Sequence, residues 1–301
     1  MPSRSLDFAA SRCSDFFCFD LAQIESDRPL MNRITTLFER LRREGRSALM
    51  PFLTAGDPDL AASTQLITLM AARGADLIEV GIPYSDPIAD GPVIAASYHR
   101  ALTRGFKLST FFNEIRAIRS DPGSSVAATP LIAMISYAIV HRWGVDKFLE
   151  QASASGLDGL IVPDLPLEES KELCRSASDL GLCLIQLVTP TTPRDRALEI
   201  IKATTGFIYY VSVAGVTGER RTLPKSVVEN VAWLRSQTAL PICIGFGIGS
   251  VEQVRDLAGK ADGLIVGSAI VRRLANADNQ PIDQLVQEVG AFVAELAGGL
   301  R

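Results

Sequence analysis

Beyond residue 31, short apolar runs alternate with stretches whose apolar residues recur every three or four positions. Ile34, Phe38 and Leu41 open the series as one face of a helix. Eight runs then read as strands: 48–54, 77–81, 131–137, 159–162, 182–188, 207–213, 241–246 and 263–266. Between them the helical period covers 60–73, 92–104, 109–120, 145–155, 168–180, 194–204, 225–237 and 251–258, and a last helix covers 282–296. The strands are continuous apolar runs with little alternation, the mark of a parallel sheet covered on both faces. Gly74, Gly156 and Gly181 stand where helices should stop. The pattern predicts an α/β fold: one (β/α)8 TIM barrel with an extra N-terminal helix and a short helix after the eighth strand. A doubly wound open sheet is the alternative, but the first strand-turn lacks the G-x-G-x-x-G fingerprint.

Residues 1–30 break the pattern. They hold Pro2, scattered Ser and Asp, and one apolar patch, Phe16-Phe17-Cys18-Phe19. They make a poor secretory signal and are expected to be a loose extension or an upstream start that is not used, with residues 31–301 as a single catalytic barrel. The 301 residues carry a net charge of −4, and Arg42-Arg43, Arg220-Arg221 and Arg272-Arg273 are only pairs. Nucleic acid, which needs a concentrated basic face, is thereby argued against. No apolar run is long enough to span a membrane. The five cysteines lack CxxC spacing, and Cys183 and Cys243 lie inside apolar runs, which suits reduced, buried thiols and a cytoplasmic setting. His99 and His141 stand in no ligand pattern, so no metal is expected.

Against this background the segment from Ile78 to Pro92 stands out. It is an apolar strand carrying Glu79, followed by a Pro/Gly-punctuated loop carrying Asp86 and Asp90. If Ile78 and Val80 pack outward on helices, Leu77, Glu79 and Gly81 turn into the barrel near its C-terminal mouth. A carboxyl held there would be partly desolvated, and its pKa would rise into the acid/base range. The competing reading is a glutamate satisfied by a buried Lys or Arg. Asp90 precedes Gly91-Pro92 and could equally cap the next helix. Asp86, before Pro87, reads as a turn residue on composition alone. Tyr209 and Tyr210 are adjacent, so one must face the barrel and one the helices.

Glycines supply the second constellation. Gly245-Phe246-Gly247-Ile248-Gly249-Ser250 follows the seventh strand, and Gly267-Ser268 joins the eighth strand to a short helix. In a barrel, loops at these two positions commonly hold phosphate, through backbone N–H groups and a helix N-terminus. Gly215-Val216-Thr217-Gly218, after the sixth strand, could add another N–H.

With these motifs quoted, the chain resembles the tryptophan synthase alpha subunit family from about Asn32 to about Leu296. Pro51-Phe52-Leu53-Thr54-Ala55-Gly56-Asp57-Pro58 and Val162-Pro163-Asp164-Leu165-Pro166 match its first and fourth strand-loops, and the three glycine motifs match its sixth to eighth. The resemblance implies retro-aldol cleavage of indole-3-glycerol phosphate to indole and glyceraldehyde 3-phosphate, with no metal or cofactor in this chain. It implies Glu79 as acid/base and Asp90 as the carboxylate on the indole N–H. Phe52 and Tyr209 would line the indole pocket, Thr217 would reach Asp90 from a loop, and Gly218, Gly247, Gly267 and Ser268 would cradle the phosphate. Asp86 would signal to a partner. That partner is implied to be a pyridoxal-phosphate beta subunit in an α2β2 heterotetramer. The chain departs from the pattern at Val213, where many members have Arg, and after Tyr137, where Ala138-Ile139-Val140 replaces an Asn-Pro segment. Same-fold alternatives, an indole-glycerol-phosphate synthase or a phosphoribosyl isomerase, would need a catalytic Lys or Asp pair on other strands. None of the eight expected strands contains Lys. A catalytically weak activator of a beta subunit is the alternative of a different class.

Overall fold

The computed structural model describes residues 32–87, 90–211, 225–245 and 247–301. The extension expected over residues 1–30 lies outside the described residues. Helix α1 (Arg33–Glu44) leads into β1 (Ala48–Thr54) and α2 (Leu60–Ala72), then β2 (Ile78–Gly81) with α3 (Pro92–Thr103) and α4 (Leu108–Ser120). β3 (Leu131–Met134) is followed by α5 (Tyr137–Trp143) and α6 (Val145–Ser155), and β4 (Gly159–Ile161) by α7 (Leu167–Asp179). The alternation continues with β5 (Cys183–Val188), α8 (Arg194–Lys202), β6 (Ile208–Val211), α9 (Lys225–Gln237), β7 (Ile242–Gly245) and α10 (Val251–Leu257). β8 (Gly263–Val266), α11 (Ser268–Leu274) and α12 (Ile282–Gly298) complete the chain. The strands pair in parallel and in chain order, and β1 closes on β8 with Ala48 opposite Gly263. The expected eight-stranded barrel is the fold, with α1 as the extra N-terminal helix and α11 as the short helix after β8.

Alternation within the strands sorts the side chains. Ile78 and Val80 pack outward with Leu49, Leu53, Leu131 and Ala133, while Met50, Phe52, Leu77, Ile132 and Cys243 fill the barrel. Both layers are buried, which is why the strands read as continuous apolar runs. Ile34, Leu37, Phe38 and Leu41 of α1 join the inner layer, and the Phe38 ring lies 5.8 Å from that of Phe207, just before β6. α1 therefore stoppers the N-terminal end of the barrel and leaves the C-terminal mouth for chemistry.

That lower end is clipped by a recurring device. The residue just before or near the start of each even strand accepts a hydrogen bond from a backbone N–H of the preceding strand. Asp76 takes Leu49 N (2.9 Å), Asp158 takes Leu131 N (2.8 Å), Thr205 takes Leu184 N (2.8 Å) and Asp262 takes Ile242 N (2.8 Å). Asp76 also holds Arg46 through both oxygens, at 2.7 and 2.8 Å. Asp158 holds Arg119 at 2.7 Å and Arg33 at 2.8 Å. The β1–β2, β3–β4, β5–β6 and β7–β8 units are thus tied across their base by a carboxylate or hydroxyl bond.

One expected boundary is corrected. The third strand ends at Met134, not at residue 137, and Tyr137 starts α5, a helix that the apolar run 131–137 conceals. Polar contacts override the strand pattern there: Ser136 caps α5 through Ala138 N (3.2 Å), and Asp164 binds both Ser136 Oγ (2.6 Å) and Tyr137 N (2.8 Å). These bonds turn the backbone out of the sheet.

Candidate active site

Glu79 lies in β2 opposite Phe52 of β1 and is 1% exposed. The strand alternation that sends Ile78 and Val80 to the helices sends Glu79 into the barrel. It makes no salt bridge among the described residues, and its Oε2 has no hydrogen-bond partner among them. The ion-paired alternative finds no cation for Glu79 among the described residues. Burial above all, and then the charge of Asp90, push the Glu79 carboxyl from its ordinary 4.5 to about 8. Around neutral pH the group holds a proton it can give away.

Asp90 does not cap α3. The cap position is Gly91, which has no side chain, and Pro92 begins the helix. Asp90 instead accepts a hydrogen bond from the Tyr84 hydroxyl at 3.2 Å. Burial raises its pKa and the Tyr84 bond works against that rise. The two carboxyls thus differ in kind: Glu79 is unpartnered at Oε2 and fully buried, whereas Asp90 is half-buried and supported as an anion. Such a pair divides acid and anion roles. Asp86 sits earlier on the same loop, exposed, and accepts from Ser85 Oγ at 2.8 Å.

The walls are aromatic. Phe52 is buried beside Gly81, where an added Cβ would come within 2.5 Å of the Phe52 ring. Tyr209 is half-buried in β6 opposite Cys243, and an added Cβ at Gly245 would lie 2.6 Å from its ring. Glycine at both points is the space that admits the rings. Burial first, then the neighbouring Glu79 and Asp90 charges, keep the Tyr209 phenol protonated. Tyr210, as expected, faces outward and accepts from Asn230 at 3.0 Å.

The loops after β7 and β8 both run into helix starts. Gly247 is exposed with φ +34°, a conformation that favours glycine, and nothing stands within 4 Å of where its Cβ would be. Gly249 N and Ser250 N donate to Gln253 Oε1 (2.7 and 3.2 Å), which fixes the start of α10. Gly267 is the cap position of α11 and Ser268 its first residue. A Cβ on Gly267 would meet Phe52 at 3.6 Å, so this loop borders the aromatic wall. Thr217 and Gly218 lie outside the described residues, as does Val213.

Two residues of the mouth escape sequence reasoning. Tyr84 lies inside the acidic loop, where it reads as a turn residue. Tyr98 repeats the helical period of Ile94 and Ala101 on the buried face of α3, where it reads as plain core. The clue was a phenol on a buried helical face just after the acid-bearing loop. Their rings lie 5.4 Å apart at 53°. Among the described residues no group of three or more His, Cys, Asp or Glu side chains is placed to hold a metal, and no helix is long and apolar enough to cross a membrane. Cys183 and Cys243 are buried free thiols, in line with their apolar surroundings.

Comparison with known proteins agrees with this geometry. A family model described as tryptophan synthase alpha chain matches residues 38–300. The tryptophan synthase alpha chain of Rhodopirellula baltica is 50% identical over 273 residues, which is 88% of this chain and 98% of that protein. The crystal structure of the tryptophan synthase alpha chain from Legionella pneumophila subsp. pneumophila is similar with a TM-score of 0.79 and 32% identity, over 89% of this chain and 97% of the other. A chain of the aminoacrylate-bound tryptophan synthase from M. tuberculosis is similar with a TM-score of 0.77 and 32% identity, over 90% of this chain and 100% of the other.

Proposed function

The chain belongs to the tryptophan synthase alpha chain family, and from that premise we propose how its own residues carry out the reaction. The alpha reaction is the cleavage of indole-3-glycerol phosphate to indole and glyceraldehyde 3-phosphate, which makes the chain a carbon–carbon lyase of tryptophan biosynthesis. The observation that carries the residue assignment is the fully buried Glu79 carboxyl, its Oε2 without a partner among the described residues, pushed to about 8 beside Asp90.

Protonated Glu79 gives its proton to indole C3. The ring becomes an iminium whose N–H is bound by the Asp90 carboxylate, itself held by the Tyr84 hydroxyl. Glu79, now ionised in a dry site, removes the proton of the side-chain hydroxyl next to the scissile bond. The C–C bond breaks, its electrons return to the ring as neutral indole, and the hydroxyl oxygen becomes the aldehyde. Glu79 ends protonated again, so the cycle balances without metal or cofactor. Phe52 and Tyr209 wall the indole. Gly247, Gly267 and Ser268, with Thr217 and Gly218 from the loop after β6, hold the phosphate end by backbone N–H groups and helix N-termini.

Family membership implies a beta-subunit partner. In the proposed assembly this is an α2β2 heterotetramer, with pyridoxal phosphate in the beta subunit and Asp86, exposed on the loop after β2, signalling across the contact. Residues 31–301 are the proposed catalytic unit, and the proposed setting is the cytoplasm. The test is indole release from indole-3-glycerol phosphate by the purified chain, with and without a tryptophan synthase beta subunit. Indole that appears slowly alone and faster with the partner supports the reading. No indole under either condition overturns it.

A further inference from the structure

Two buried side-chain atoms among the described residues have no hydrogen-bond partner: Glu79 Oε2 and the Tyr98 hydroxyl. A buried polar group without a partner is costly, so each such group in a native fold calls for an explanation. Glu79 has one, because it is the acid/base of the reaction. Tyr98 has none so far.

Its placement supplies one. Tyr98 is 0% exposed and rises from α3, yet its hydroxyl reaches β2: a Cβ built on Gly81 would lie 2.7 Å from that oxygen. Gly81 is two residues beyond Glu79 on the same strand and so shares its inward face. The hydroxyl therefore fills the side-chain place that Gly81 leaves empty, one step nearer the mouth than the acid. The Tyr98 ring packs on Tyr84, whose own hydroxyl is committed to Asp90. Burial, then Asp90, Tyr84, Glu79 and Tyr209, raise the Tyr98 pKa well above its ordinary value, so the group stays a donor throughout the working pH range.

We propose that the Tyr98 hydroxyl is a further substrate-contacting group of this site, donating a hydrogen bond to the polyol oxygen that Glu79 deprotonates and that becomes the aldehyde. The inference rests on the proposed function. In the free protein no described residue satisfies the hydroxyl. With substrate bound it finds an acceptor whose negative character grows as the O–H proton leaves, so the bond strengthens towards the transition state. The role is also one of specificity, since a substrate lacking that oxygen would leave the phenol buried and unpaired.

Tyr98→Phe keeps the ring, its contact with Tyr84 and the fit over Gly81, and removes only the oxygen. The expected result is a kcat/KM for indole release about 10- to 100-fold below the parent, with Tm unchanged or raised, because no hydrogen bond to a described residue is lost. The alkaline limb set by Glu79 should not move, because the hydroxyl contacts the substrate and not Glu79. A kcat/KM within twofold of the parent overturns the proposal. A lower Tm accompanying the loss would make the hydroxyl a structural partner, and a displaced alkaline limb would make it a partner of Glu79; either also overturns it. Parent and Glu79→Gln assayed alongside separate the two claims. Indole release that Glu79→Gln abolishes and Tyr98→Phe spares leaves the function standing and removes only Tyr98.

Discussion

Replacing Glu79 by Gln should make the protein more stable while disabling it, and the gain should depend on pH. A carboxyl whose native pKa lies above its unfolded value binds its proton more tightly in the fold. It costs nothing below pH 4.5, where both states are protonated. As pH rises towards 8 the unfolded chain ionises and the native group does not, so stability is lost progressively across that window. Above 8 the full penalty is present. Displacement from 4.5 to about 8 corresponds to an upper figure of about 5 kcal/mol at about 1.4 kcal/mol per pH unit, and about 3 kcal/mol at pH 7. Glutamine is nearly isosteric and cannot ionise, so Glu79→Gln removes the penalty. For a chain of this size about 2 °C of Tm accompanies each kcal/mol, so a gain of about 5–10 °C is expected at pH 9. At pH 4 parent and variant should melt together. Thermal melts of both at pH 4, 7 and 9, beside indole release, test the chain of reasoning. Turnover should fall at least 100-fold, as for loss of a general acid/base. A variant no more stable than the parent at pH 9 would mean that the fold satisfies Glu79 as an anion, and the assignment of its raised pKa would be wrong. The penalty is the energetic cost of keeping an acid in a dry pocket, where stability and activity pull apart.

The remaining predictions follow from packing and charge. Gly81→Ala places a methyl 2.5 Å from the Phe52 ring and 2.7 Å from the Tyr98 hydroxyl, which should cost about 1–3 kcal/mol and lower kcat, read by urea titration and indole release. Asp158→Ala strips a partner from Leu131 N and leaves Arg119, 7% exposed at its side chain, uncompensated at the barrel floor. About 3–5 kcal/mol should be lost while kcat/KM at 20 °C is preserved, because the clip lies at the end opposite the site. Gly267→Asp puts an anion at the start of α11 beside the proposed phosphate cradle, and KM for indole-3-glycerol phosphate should rise steeply with kcat changed less; an unchanged KM removes Gly267 from the cradle.

Local pattern carried much of this protein. The outward faces of Ile78 and Val80 sufficed to send Glu79 inward, since strand side chains alternate whatever the rest of the chain does. The glycines after the seventh and eighth strands pointed to helix starts at the mouth for the same local reason. Other signals misled because they answer to distant residues. The run 131–137 reads as one strand, yet Asp164, from the loop after β4, takes Ser136 Oγ and Tyr137 N and turns the chain into α5. The clips at Asp76, Asp158, Thr205 and Asp262 recur through the chain, but with Thr in one of the four places and differing Arg partners no repeat shows in the residues alone.

By itself the sequence determined the barrel and, apart from α5, its element types and their order, together with the inward facing of Glu79. These depend on periods of two and of three to four that act within a few residues. Only the tertiary structure decided that Glu79 meets no cation among the described residues, that Asp90 is held by Tyr84 and not used as a cap, and that Tyr98 brings its hydroxyl over Gly81. Each of those depends on what barrel closure carries to one spot from α3, β1 and β2. Whether a buried carboxyl is an acid or half of an ion pair is set by its neighbours in space, not by its neighbours in the chain.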